Sequence, residues 1–258
     1  MIAVRKNKYM LRFASLLLAV LIGGCAATPP QQTSLPERQF PELENAPPDP
    51  HSIIAIDDPF EKFNRTMYNF NARFDRYVFL PVVSGYETVM PNFAQQGVTN
   101  FFNNLREVKY FINNLAQAKL TNTGVTLGRF VINSTIGIAG LWDPATHMGL
   151  YVRREDFGQT LGYWGVGSGP YLVLPIFGPS SVRDAGGLAF DFAVDNEIDL
   201  LNVNDDANKD GIRIALTTLK AIDTRKNTKF RYYETGSPFE YTLVRFAYLR
   251  MREVQVDK

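Results

Sequence analysis

Histidine and cysteine are almost missing from this chain of 258 residues, which has two histidines, His51 and His147, and one cysteine, Cys25. Two imidazoles and one thiol cannot supply the usual four-ligand zinc sets, and a lone cysteine cannot close an intramolecular disulfide. An excess of either charge is missing too. With 27 basic and 26 acidic residues the formal net charge is +1, which gives no support to a nucleic-acid partner, since that calls for a basic face meeting many phosphates. No apolar run is long and charge-free enough for a transmembrane helix of about 20 residues. A Gly-x-Ser-x-Gly elbow is also lacking: Ser168 comes nearest, in Val166-Gly167-Ser168-Gly169-Pro170, with valine where the first glycine belongs. A catalytic triad would have to rest on His147, for which a structural or surface role is the simpler reading. Gly165, Gly167 and Gly169 fail as a dinucleotide loop because Pro170 stands where the helix should begin. The segment 206–211 begins like an EF-hand loop, but Thr217 occupies the position of the bidentate glutamate.

What is present begins with the first 25 residues. Arg5, Lys6, Lys8 and Arg12 form a basic region, residues 13–22 are apolar or small, and Gly23-Gly24 precede Cys25, which is the layout of a secretory signal. The cysteine stands where bacterial lipoprotein signals are cut, so 1–24 is expected to be a signal peptide and Cys25 an acylated first residue. By likeness to such lipoproteins Cys25 carries three acyl chains, and Ala26 behind it fits travel to the outer membrane. At about 0.8 kcal/mol per buried methylene, several chains hold firmly where one binds marginally. Residues 25–57 form a tether, because Pro29, Pro30, Pro36, Pro41, Pro47, Pro48 and Pro50 favour extended polyproline II over a packed element. The folded domain is expected over 58–253, with 254–258 as a tail.

Asp58-Pro59-Phe60-Glu61 reads as a helix start, with a cap, a first-turn proline and a third-position glutamate. Phe60, Phe63, Met67, Phe70, Phe74 and Tyr77 then recur at three- and four-residue steps, with Asn64, Arg65, Asn69 and Arg73 opposite and Pro81 as a stop. This aromatic stripe fits a core helix and a helix lying on lipid equally well. The aromatic share of 13% suits interfacial anchoring. Further helices are expected over 92–104 and 107–120. Another follows Thr121 as cap, with Gly124 and Gly128 open to a neighbouring helix. More are expected after the caps Ser181, Asp206 and Ser237. In the last of these, Tyr241, Arg245, Tyr248 and Arg252 share a face. The fold class is mainly α, without internal repeats or a second domain.

The centre of the chain is residues 155–184, in which charges enclose aromatic and aliphatic residues broken by six glycines and by Pro170, Pro175 and Pro179. Here Leu161 to Val166 is expected to pair with Tyr171 to Leu174 across Gly167-Ser168-Gly169-Pro170. The apolar residues do not alternate, so both faces must meet apolar surroundings. The glycine-broken run 136–142 has the same character.

These residues carry a family resemblance. The chain resembles the MlaA (VacJ) family of outer-membrane lipoproteins in Asp58, Pro59, Phe60 and Glu61 with Asn64, Arg65, Phe70 and Asn71. The likeness continues in Asn133-Ser134-Thr135-Ile136-Gly137 with Gly140 and Asp143, and in Glu155-Asp156-Phe157-Gly158-Gln159-Thr160-Leu161-Gly162. Beyond these it runs through Trp164, Gly165, Gly169, Pro170, Tyr171, Leu174, Pro175, Gly178, Pro179, Arg183 and Asp184, and through Tyr241, Arg245 and Tyr248.

The resemblance implies a ring-like helical domain embedded in the inner leaflet of the outer membrane, anchored on the periplasmic side and enclosing an amphipathic channel. Phospholipids that have strayed into the outer leaflet would pass through it to a soluble periplasmic carrier. A trimeric porin would be associated, and neither a cofactor nor covalent chemistry would take part. Leu161, Gly162, Trp164, Gly165, Gly169, Pro170, Tyr171, Leu172, Leu174 and Pro175, with the run 136–142, would then shape and gate the channel. The first helix would lie in the leaflet plane with Asn69, Phe70 and Asn71 as a flexing point. Arg183-Asp184 and Arg153/Arg154 with Glu155/Asp156 fit headgroup binding and structural salt bridges alike. Two other classes suit a lipid-anchored chain: a lipoprotein phospholipase and a structural or adhesive lipoprotein.

Overall fold

A computed structural model describes residues 56–198 and 210–257. The chain divides into two units, Met1–Glu44 and Asn45–Lys258. The first lies outside the described residues, and with it fall the expected signal, Cys25 and most of the tether. The expected start at Asp206 lies outside them too.

The described part is mainly helical, as the periodicities predict. Helix α1, Glu61–Phe74, follows a turn in which Asp58 Oδ1 accepts from Phe60 N at 3.1 Å. The expected reciprocal cap does not form. Glu61 instead pairs with Arg65 one turn on (2.7 Å), while the Asp58 carboxylate faces inward to Asn64, Tyr241 and Arg245. Pro81 does not stop the chain either. Asp75–Phe79 widens into a π-helical segment, closed by Leu80 N on Asp75 O, and α2, Leu80–Val89, starts with the proline in its first turn. A proline ring clashes with the carbonyl four residues back in a regular helix, and the wider turn relieves that conflict. Residues 69–71, expected to flex, lie in regular helix, and the irregularity begins four residues later.

Helix α3, Asn92–Ala116, is continuous where two helices were expected, since no glycine or proline interrupts residues 98–116. At about 1.5 Å per residue it is close to 38 Å long. Ala118 turns the chain at φ 54°, and α4, Leu120–Thr135, returns along α3. Thr121 is therefore inside the helix and caps nothing. Gly124 has open space beside it and Gly128 meets only Leu150, so no helix packs closely against either. The run 136–142 is a knot of turns. A Cβ on Gly137 would sit 2.4 Å from the carbonyl oxygens of Asn133 and Trp142, and Ile138 and Ala139 both have φ 54°. The short α5, Pro144–His147, is capped by Asp143, which accepts from Thr146 N.

The expected pairing of 161–166 with 171–174 is overturned. Residues Phe157–Tyr163 form helix α6, capped by Asp156, which accepts from Gln159 N at 2.9 Å. Strand β1, Tyr171–Leu174, pairs with β2, Gly178–Ser181, antiparallel, Tyr171 opposite Ser181 and Leu174 opposite Gly178. Two glycines read as breakers, Gly158 and Gly162, are contact points on α6 instead. Ser181 then caps α7, Val182–Glu197, as expected, by accepting from Asp184 N. Helices α8, Asp210–Asn227, and α9, Glu240–Val256, follow. Among the described residues, no helix is long and apolar enough to cross a membrane.

Candidate functional site

The buried face of α1 is the polar one. Asn64, Tyr68, Asn71 and Asp75, spaced four, three and four residues apart, are buried, while Phe60, Phe63, Phe70 and Tyr77 of the aromatic stripe are exposed. Helix α9 repeats the spacing with Tyr241, Arg245, Tyr248 and Arg252, of which the first, second and fourth are buried. The inversion is general. Among the described residues, 25 polar or charged side chains are buried against 7 hydrophobic ones, and 34 large hydrophobic residues are exposed. Ordinary folding places apolar groups inside, so polar groups enclosed in such numbers must satisfy one another.

They do so by elements. Asn64 donates from Nδ2 to Tyr171 O (3.0 Å) and accepts from Val173 N (2.8 Å). Asn71 donates to Leu174 O (2.9 Å) and accepts from Ile176 N (2.7 Å). The two amides serve β1 as a third strand would. Seven residues of helix rise about 10.5 Å and three residues of strand about 10 Å, so the two side chains keep step with the strand. Below them Tyr68 packs edge-on against Tyr232, Tyr233 and Tyr241 and donates to Glu240 Oε1 at 2.8 Å. Asp75 holds Arg225 in a two-pronged ion pair, with Nη2 2.7 Å from Oδ2. Phe177 N bonds back to Pro175 O around Ile176 at φ 69°, which makes the hairpin tip a three-residue γ-turn. Ile176 and Phe177 point outward from it.

A second cluster joins α6, α7 and α9. Arg252 bonds Asp156 through Nη1 (2.7 Å) and Nη2 (2.8 Å), and Asp184 through Nε and Nη2 (both 2.9 Å). Arg183 and Tyr248 complete the shell of Asp184. Burial alone would raise the Asp156 carboxyl, but the Arg252 hydrogen bonds and charge, with the Gln159 donors, outweigh it and hold Asp156 at about 2. Asp184 is lowered for the same reason, again against burial. Gly158 and Gly162 make the approach possible. A Cβ on Gly158 would lie 2.5 Å from Asp184 Oδ1, one on Gly162 would lie 2.8 Å from Arg183 Nη1, and one on Gly187 of α7 would lie 2.4 Å from Gly158 N.

The third cluster lies between α3 and α4. Arg129, 1% exposed, reaches Glu107 Oε1, Thr146 Oγ1 (2.9 Å) and Asp143 Oδ2 (3.1 Å), and Asn133 bonds Asp143 at 3.0 Å. Burial keeps the Glu107 carboxyl above its ordinary value despite Arg129. Beside it, Glu155 is held by Lys119 (2.9 Å) and Gln117 (3.1 Å), and Thr160 by Gln117 and Asn113.

The residues singled out in the sequence are therefore divided. Asp58, Asn64, Asn71, Gly158, Gln159, Gly178, Arg183 and Asp184 come together in the polar interior, and Arg183 and Asp184 are a structural ion pair (3.1 Å). Pro59 and Phe70 stay outside, while Arg65 lies over the Tyr241 ring at 4.4 Å. Leu161 and Gly162 belong to α6. Trp164 ends that helix and donates from Nε1 to Ala116 O (3.0 Å), and Gly165 and Gly169 turn the chain at φ 89° and 65°. Pro170 O accepts from Val182 N, and Tyr171, Leu172, Leu174 and Pro175 lead along β1 to the tip. The sequence reading missed Tyr68, Glu107, Arg129, Glu240 and the tie that Arg252 makes. The signal for them was a second, polar stripe at helical spacing on the same helices. His147 is exposed, its Nδ1 2.9 Å from Asp143 O, and among the described residues it has no hydrogen bond to a serine. The arrangement can solvate polar groups inside and meet apolar surroundings outside.

Known proteins resemble this chain. A family model described as MlaA lipoprotein matches residues 56–255. The Intermembrane phospholipid transport system lipoprotein MlaA of Escherichia coli K12 is 40% identical over 134 residues, covering 50% of this chain and 53% of that protein. Its namesake in Haemophilus influenzae is 36% identical over 148 residues, covering 56% and 59%. An uncharacterized protein of Rickettsia prowazekii is 38% identical over 134 residues, covering 52% and 53%. The chain thus spans about half the length of the curated relatives it matches. A solved structure described as "Structural basis for maintenance of bacterial outer membrane lipid asymmetry" superposes with a TM-score of 0.61 at 29% identity, covering 78% of this chain and 100% of its own. With the family model covering so much of its length, the chain belongs to the MlaA lipoprotein family.

Proposed function

We propose that this protein is an outer-membrane lipoprotein that removes mislocalised phospholipids from the outer leaflet and hands them to a soluble periplasmic carrier. The observation that carries the reading is the inverted polarity of the fold. The enclosed Asn, Asp, Glu and Arg side chains satisfy one another and hold the fold without a large apolar core, which leaves exposed phenylalanine, tryptophan and isoleucine to meet acyl tails. Acylated Cys25 anchors the chain, residues 25–57 give it reach, and residues 58–253 lie in the inner leaflet as a ring around an amphipathic channel beside a trimeric porin. The segment 161–175 and the knot 136–142 form the channel's movable wall. Transfer needs no bond to be made or broken.

The names of the Escherichia coli and Haemophilus influenzae relatives, which place them in intermembrane phospholipid transport, support this reading. The test is deletion of the gene followed by labelling of surface phospholipid. Surface phospholipid is expected to rise, to return to normal with the wild-type chain, and to stay high with Cys25→Ala or Leu172→Glu. An unchanged outer leaflet in the deletion strain rules the function out.

A further inference from the structure

The turn that follows α8 carries charge that the interior does not use. Residues 224–233 hold four cations, Arg225, Lys226, Lys229 and Arg231, and no acid. They run along the second half of α1: Tyr232 meets the Tyr68 ring edge-on at 5.0 Å, the Tyr233 hydroxyl donates to Asn69 Oδ1, and Arg225 grips Asp75. Arg225 and Arg231 then tie the turn. Both donate to Thr228 O, at 2.9 and 2.5 Å, and both to Phe230 O, at 3.2 and 3.1 Å. The two guanidinium groups therefore stand side by side on shared carbonyls, and the Asp75 carboxylate neutralises the first alone. Asn69, which Tyr233 touches, begins a row that reaches Arg73 and Arg76 at steps of four and three residues, so these two cations border the same edge. Among the described residues, the ion pair of this edge is Asp75 with Arg225, and Arg73, Arg76, Lys226, Lys229 and Arg231 have no carboxylate partner.

Cations without counterions on one edge, in a chain whose net charge is only +1, make a local positive field. Arg73, Arg76 and Lys229 are exposed, and Lys226 and Arg231 are half-buried. Arg225 and Arg231 spend donors on the carbonyls of the turn, and the other cations stand at separate points of the edge. The charge is thus spread instead of converging on one oxyanion, which suits a surface of many anions better than a single bound ion. Aromatic side chains share the edge: Tyr77, 70% exposed, has its ring centre 5.8 Å from Arg76 Cζ, and Phe230, 38% exposed, lies between Lys229 and Arg231 in the chain. Rings beside cations are what settles at the boundary of a bilayer, with the ring among the first methylenes and the charge on the phosphates. We propose that the turn 225–231, with Arg73, Arg76 and Tyr77, lies at headgroup level and binds the anionic headgroups of the leaflet that holds the domain. The proposal rests on the reading above that the domain lies in a leaflet, and it states which edge meets the headgroups.

The experiment dilutes the full-length protein from detergent into vesicles of phosphatidylcholine with and without phosphatidylglycerol. Wild type is expected to prefer the anionic vesicles and to lose that preference as salt rises. Lys226→Gln with Lys229→Gln, at two side chains without ion pairs, should lower the preference about fivefold for each charge removed. Binding to pure phosphatidylcholine and unfolding in detergent should stay as in wild type. Arg250→Gln removes a cation from an exposed surface pair with Glu253 and should change nothing. A preference that survives the double substitution, or falls equally in Arg250→Gln, overturns the edge and leaves the leaflet reading standing. Position is read separately, from a fluorophore on Lys229→Cys. It should be quenched by a nitroxide carried on the headgroup and shielded from a quencher in water; the reverse result overturns the proposal and gives the cations to an acidic protein. A wild-type chain that binds neither kind of vesicle removes both readings.

Discussion

Gly186 and Gly187 are neighbours on α7, and only one has room for a side chain. A Cβ at Gly186 meets nothing within 4 Å, while one at Gly187 lies 2.4 Å from Gly158 N. Gly186→Ala should therefore raise stability by about 1 kcal/mol, the usual helix-interior difference. Gly187→Ala should lower it by about 1–3 kcal/mol through overpacking. Denaturant unfolding of the two variants in the same detergent is the comparison, and equal effects would show that the α6–α7 crossing is looser than described. Asn64 makes the same argument with hydrogen bonds. Asn64→Ala strands Tyr171 O and Val173 N in the interior, at a cost of about 1–3 kcal/mol for each buried group left unsatisfied. Hydrogen exchange should show the loss first at the Val173 amide.

At the scale of elements, the clamp of α6, α7 and α9 on Arg252 makes the fold sensitive to acid. Asp156, at about 2, and Asp184 are both lowered in the folded state, so the stability they confer is complete above their unfolded value near 3.8. It is lost as pH falls through the folded value. The melting temperature should hold down to about pH 4 and drop between there and pH 2. Arg252→Met should flatten that acid limb and destabilise the protein at neutral pH by about 3–5 kcal/mol, because it leaves two carboxylates buried without their cation. The element scale also shows what the sequence could tell. Helix periodicity on α1 and α9 was plain, and so were the cap at Ser181 and the shared face of Tyr241 and Arg245. Periodicity gives the angle between two faces, though, and does not say which one meets water or lipid; Phe63 and Phe70 outside, with Asn64 and Asn71 inside, needed tertiary structure. In the same way Gly158 and Gly162, four apart, read as breakers until α7 and α9 were seen pressed against them.

For the molecule as a whole, a surface rich in exposed phenylalanine and isoleucine must be covered by something apolar. Cys25→Ala, which cannot be acylated, should still partition into the detergent-rich phase of a cloud-point separation and bind vesicles, and should aggregate when detergent is withdrawn. A monomer that stays in the aqueous phase would remove the case for immersion by the folded domain itself. The whole chain also shows why the family was easier to read than the geometry. Motifs such as Glu155-Asp156-Phe157-Gly158-Gln159 name a family, whereas the hairpin partner depended on whether 161–166 was helix or strand.

The match between Asn64 and Asn71 on one side and β1 on the other has a consequence for how this gene can change. Each added helical residue turns everything after it by about 100° and advances it about 1.5 Å. One codon inserted between positions 64 and 71 would swing the second amide off the strand, freeing the hairpin tip while leaving the first amide in place. Substitution on the exposed side of this span is open to drift, but its length is a fixed ruler, and relatives that keep both asparagines should keep six residues between them.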